Sequence, residues 1–223
     1  MESKNYKETI IDIENQILFY SKSFEQHFCW LKGIEKIKPS LINKLKHEDL
    51  DDFENQLNFG GYLYISILDL LTINKNFILS KYKWENLHQI RVAFLLIYSL
   101  IETYNKHSLQ LKHSSKKNET LNTLFLEINR ELKVFKKENC YPNKFIELRN
   151  LTIGHIDQSF VTIYSKITSI DHMQAYQTIL DFLKIIFKIH SFATENVNTI
   201  ELNTSNGIYL FNKLTNDFEF KNI

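Results

Sequence analysis

Apolar residues recur at steps of three and four along most of the chain, the signature of helices that bury one face. Tyr6, Ile10, Ile13, Ile17, Tyr20, Phe24 and Leu31 form a first series, and Tyr64, Ile67, Leu71 and Ile78 a second. Leu87, Ile90, Phe94, Ile97, Ile101 and Tyr104 form the cleanest, and Leu95, Leu96 and Leu100 give that segment a second apolar face. Leu121, Phe125, Ile128, Leu132 and Phe135 make a fourth series; Tyr176, Leu180, Leu183, Phe187 and His190 make a fifth. A helix apolar on two faces is either central to a bundle or carries a further interface. The segment 84–111 is therefore expected at the centre.

Breaks in the pattern set the boundaries. Lys38-Pro39-Ser40 is expected to end the first helix, and residues 113–118 read as a polar loop. Gly60-Gly61 reads as a helix start or an interhelical turn. Tyr141-Pro142-Asn143 opens a short helix, since proline is tolerated in a first turn. Residues 159–167, SFVTIYSKI, are β-branched and aromatic without helical period and read as extended. Beyond Glu195 apolar and polar residues alternate around Asn206-Gly207, a hairpin turn signal. The chain is thus expected to be mainly α, a helical bundle with a small C-terminal β element. One helical domain spans 1–195, and a hairpin-like tail spans 196–223, with 159–167 as a candidate pairing partner.

Composition narrows the classes. In 223 residues there are only five Gly and two Pro, too few for collagen-like or linker-rich chains or for an all-β fold with many tight turns. The formal charge is +1, so any nucleic-acid contact must come from a local cationic surface. Cys29 and Cys140 stand apart, without CxxC or zinc-ligand spacing, which fits two free thiols and a reducing, cytoplasmic setting. The N-terminus lacks the apolar core of a secretory signal. The longest apolar run, Val92–Ile101, is about half the roughly 20 residues a membrane span needs. No phosphate loop, dinucleotide fingerprint, HExxH or GxSxG elbow is present, and no metal site is expected.

Chemistry concentrates in Arg149-Asn150-Leu151-Thr152-Ile153-Gly154-His155. Arginine is scarce here: Arg91, Arg130 and Arg149 are the three among 27 basic residues. A guanidinium holds phosphate oxygens bidentately and stays charged, and an imidazole moves protons near neutral pH. The segment resembles the signature of the HEPN superfamily, all-α domains in which an Arg and a polar follower precede a His by a short spacer. The resemblance covers this motif and the helix pattern over about 84–193. It implies a metal-independent endoribonuclease of the kind found in toxin–antitoxin and phage-defence systems, needing no cofactor. Arg149 would stabilise the phosphate, His155 would act as acid or base, and Asn150 would hold the phosphate or the imidazole. It also implies RNA as partner, a homodimer with two motifs facing one cleft, and an antitoxin or other protein partner; a catalytically silent module that binds nucleotide, RNA or protein is the alternative.

Helix geometry constrains that reading. Residues six apart on a straight helix differ by about 600°, which leaves their side chains roughly 120° apart. Gly154 is the residue that permits a break between them. Glu102, at the end of the longest apolar run, is a candidate partner for Arg149, and equally a residue at the core's edge reaching water. Tyr104, with His107, Lys112 and His113, is either part of an RNA groove or part of an exposed helix end. Asp157 either orients the imidazole or caps a loop. Arg149 itself either binds phosphate or pairs with a carboxylate near a helix C-terminus, and His155 is either catalytic or a loop histidine. His190, on an apolar face, reads as structural.

Overall fold

A computed structural model describes residues 3–41, 47–116, 118–153 and 159–199. Seven helices follow one another among them: α1 (Ser3–Leu41), α2 (His47–Leu79), α3 (Lys83–Ser115), α4 (Glu119–Glu138), α5 (Asn143–Ile153), α6 (Phe160–Thr168) and α7 (His172–Thr199). Local chemistry fixes the starts. The Glu85 carboxylate accepts from the backbone N–H of Lys81 at 2.9 Å and of Tyr82 at 3.2 Å, satisfying donors that precede α3. The Asn118 side chain accepts from Thr120 N–H at 2.8 Å and Leu121 N–H at 3.3 Å, which caps α4.

α3 is central, as its two apolar faces predict: it packs against α2, α4, α5 and α7. Phe94, Ile97 and Ile101 are buried on it, Leu100 is buried too, and Leu96 packs on the core. Leu96 and Leu100 of the second face are therefore used inside the bundle. Burial on this scale, at roughly 1.5–3 kcal/mol per large apolar side chain, is what offsets the entropy of ordering the chain.

Among the described residues the fold is all-α, against the expected small C-terminal β element. No strand occurs among the described residues. Its expected partner, 159–167, is helix α6 almost throughout. Ser159 Oγ accepts from Thr162 N–H at 3.3 Å as an N-cap, and Ile163 and Ile167 then fall one turn apart, with Ile167 buried. β-branched residues cost only tenths of a kcal/mol each in a helix, so one cap and one buried face outweigh them. α7 runs to Thr199, beyond the boundary expected at 195; residues 200–223 of the expected hairpin lie outside the described residues.

Three further boundaries move. α1 continues two residues past Pro39. The first three residues of the polar segment 113–118 belong to the last turn of α3. Ser114 is buried there because its Oγ accepts from Gln56 Nε2 at 3.0 Å, while Ser115 Oγ returns to Lys112 O at 2.9 Å. Gly60-Gly61 lies within α2 and not at its start. A Cβ at Gly60 would meet His27 Cε1 at 3.0 Å, so the missing side chain lets the α1 imidazole pack on the α2 backbone.

That imidazole belongs to an aromatic knot joining α1, α2 and α7. His27 Nε2–H donates to Leu57 O at 2.6 Å, and His190 packs edge-on against Tyr64 at 4.5 Å and Tyr20 at 5.5 Å. Burial, aided by His27, pushes His190 down to about 4. The unfolded imidazole takes its proton near 6.5, the folded one only near 4. Stability from this group is thus complete above pH 6.5 and lost as pH falls toward 4, by about 3 kcal/mol. Urea midpoints at pH 7.5 and 4.5 are expected to differ less in His190→Phe than in the wild type; equal differences would contradict the assignment.

Candidate functional site

The α4–α5 junction brings the motif's arginine to the centre of an aromatic and cationic cluster. α4 ends in a turn where Cys140 takes a left-handed backbone (φ 53°). Tyr141 N–H donates to Lys136 O at 2.9 Å and Cys140 N–H to Lys137 O at 3.4 Å, the paired bonds of a Schellman cap. Asn139 fastens the turn to α7: its Oδ1 accepts from Thr178 Oγ1 at 2.7 Å. The chain then enters α5 with Phe145 and Leu148 facing α3, both buried. Phe145 sits 4.7 Å from the Phe94 ring and 5.4 Å from Tyr141. Arg149, one turn after Phe145, is carried to the edge of the same face.

Arg149 is half-buried and lies over the Tyr98 ring of α3, 5.3 Å from its centroid. Its Nε is fully enclosed without a hydrogen-bond partner, and no carboxylate pairs with it among the described residues. The ion-pair reading of Arg149 is therefore excluded there. A guanidinium partly removed from water and held by a ring face keeps its terminal N–H donors, though not the enclosed Nε, for an external anion. Asn150, beside it in α5, is half-buried.

Glu102 does not hold Arg149. Its Oε1 accepts from the Tyr141 hydroxyl at 2.5 Å, and burial together with this carboxylate drives the Tyr141 phenol far above its ordinary value. Tyr141 and Tyr98 lie 5.8 Å apart, so Glu102 reaches Arg149 only through two rings. Tyr104 is 3 % exposed, and its hydroxyl accepts from Asn129 Nδ2 at 3.2 Å. It is a core residue and lines no groove. His107 packs on Phe59, 5.0 Å between rings, whereas Lys112 and His113 are exposed. Gly154, His155 and Asp157 lie outside the described residues.

The sequence reading missed Tyr98, Tyr141 and Lys136. Lys136 Nζ lies 5.5 Å from the Tyr141 centroid and donates to Asn105 Oδ1 at 3.2 Å. Tyr98, Glu102 and Asn105 share one face of α3 by their spacing of four and three, which was the available signal. No group of three or more metal-ligating side chains occurs among the described residues, and no helix there is long and apolar enough to cross a membrane. No protein-family model, curated protein or solved structure matches the chain.

Proposed function

We propose that the protein is a metal-independent endoribonuclease of HEPN type, a toxin or phage-defence effector, with Arg149 as its phosphate ligand. The observation that carries this reading is the unpaired, half-buried guanidinium of Arg149 at the start of the Arg–Asn…His motif. In the reaction, His155 of one motif takes the proton of a ribose 2′-OH, and the 2′ oxygen attacks phosphorus. The bond from phosphorus to the 5′ oxygen breaks, and the leaving oxygen receives a proton from a second imidazole or from water. Arg149 neutralises charge on the equatorial oxygens as they develop it, with Asn150 as an additional donor. A homodimer would bring two such motifs to one cleft, and a protein antitoxin would act by covering it.

The test is chemical. Purified protein in EDTA is expected to cut single-stranded RNA, leaving 2′,3′-cyclic phosphate and 5′-hydroxyl ends, and to leave the same sequence in DNA intact. RNA that survives a long incubation at high enzyme concentration sinks the reading. The same cation also suits a silent RNA- or nucleotide-binding module, which would show saturable binding without products.

A further inference from the structure

Most described lysine ion pairs lie away from the α4–α5 turn. Lys188 is held by Glu127 and Glu131, each at 2.6 Å; Lys75 pairs with Glu14, Lys166 with Glu147 and Lys184 with Asp181. Lys136 departs from that pattern. Its ammonium has the neutral Asn105 amide oxygen and the face of Tyr141, and no carboxylate within ion-pairing distance among the described residues. Partial burial lowers its proton affinity, and Glu102 opposes this only from a distance. Glu102 is itself occupied by the Tyr141 hydroxyl. The arrangement repeats what is seen at Arg149: a half-buried cation fixed by a tyrosine ring and left without a counter-ion.

The two cations terminate one chain of contacts, Arg149–Tyr98–Tyr141–Lys136. Lys144, over Phe94 at 5.8 Å, adds a third positive group. Of the carboxylates on these segments, Glu102 is occupied by the Tyr141 hydroxyl and Glu147 by Lys166. Lys133 and Lys137 extend the positive charge along the exposed side of α4. Here is the local cationic surface that a chain of net charge +1 requires if it is to hold a polyanion.

We propose that Lys136 is a second backbone-phosphate ligand, holding a phosphate of the same single-stranded RNA further along the strand from the one bound by Arg149. Tyr141 and Asn105 fix its ammonium in place. The Tyr141 hydroxyl also keeps Glu102 from neutralising it. This rests on the reading of Arg149 as a phosphate ligand. Lys136 touches the strand but not the reacting atoms, so it sets affinity and leaves the chemical step alone.

The experiment measures binding without turnover, using a fluorescent single strand whose riboses are all 2′-O-methylated, titrated at several salt concentrations. Wild type is expected to bind with a log–log salt slope that falls by about 0.7, one phosphate's share on a single strand, in Lys136→Gln. Affinity at low salt should drop roughly 5- to 10-fold, and KM for cleavable RNA should rise with kcat unchanged. Lys136→Arg should restore the slope. Tyr141→Phe keeps the ring but frees Glu102, and is expected to weaken binding as well. Lys184→Gln, at an exposed paired lysine, is the control and should bind as wild type. A salt slope and affinity in Lys136→Gln equal to the control overturn the proposal even if RNA is cleaved. Lys136-dependent binding with no cleavage supports it while removing the nuclease reading. Absence of binding by the wild type overturns it.

Discussion

Arg149→Ala is expected to lower kcat/KM for RNA cleavage by roughly 100- to 1,000-fold, the usual cost of removing one preorganised donor from a charged transition state. His155→Ala should cost more, up to about 10⁴-fold, because it removes proton transfer outright. Both variants should keep the wild-type melting temperature. The Arg149 side chain pairs with no carboxylate among the described residues, so its loss leaves no orphaned carboxylate behind. A structural role for Arg149 would instead lower the melting temperature of Arg149→Ala, and that difference separates the two readings. Arg149→Lys is the sharper variant. It preserves charge and stem but replaces a planar fork with a point donor, and a flat ammonium substitute for the stacked guanidinium does not exist. A loss of tenfold or more in Arg149→Lys with folding intact supports bidentate phosphate binding. Full activity in both Arg149 variants removes the residue from the mechanism.

How much of this was legible beforehand depended on range. The periodic series placed α3, α4 and α7 and the centrality of α3, because a buried stripe repeats at the helical period wherever a helix crosses a core. α6 was misread because its nine residues are rich in β-branched and aromatic side chains, yet Ser159 was a readable cap. Gly60-Gly61 was misread as a break because a glycine pair signals a turn in isolation; what it accommodates is an imidazole from 33 residues earlier in the chain, beyond the reach of a local pattern. The site divides in the same way. Arg149 and Asn150 were proposed from a contiguous motif. Tyr98, Tyr141 and Lys136 depend on a Schellman turn whose left-handed position holds Cys140 where glycine is usual, so its strongest signal was missing. Glu102 was expected either beside Arg149 or at the core's edge reaching water, and its partner, Tyr141, lies 39 positions away.

Phe145→Ala is expected to destabilise the protein by about 3–5 kcal/mol, a large share of the 5–15 kcal/mol that usually separates folded from unfolded domains. Phe145 is fully enclosed by Phe94, Phe135 and Tyr141, at 4.7, 6.1 and 5.4 Å between ring centroids. Truncation leaves a cavity at the point where α5 rests on α3, and the neighbouring rings belong to three different segments, so no small shift of one helix can fill it. A fall in melting temperature of about 10 °C is the expected calorimetric result for a chain of this size. Phe145→Leu should cost less, and it is the variant that links packing to function. Arg149 follows Phe145 by one helical turn, so a tilt of α5 moves the guanidinium off Tyr98 while the fold persists. Cleavage should then decline in Phe145→Leu at temperatures where circular dichroism still reports full helix, because positioning at a site fails before global structure does. A melting temperature within 2 °C of wild type for Phe145→Ala, on the roughly 2–4 °C per kcal/mol scale, would mean that α5 is not anchored by this ring. The support for Arg149 would then have to come from elsewhere.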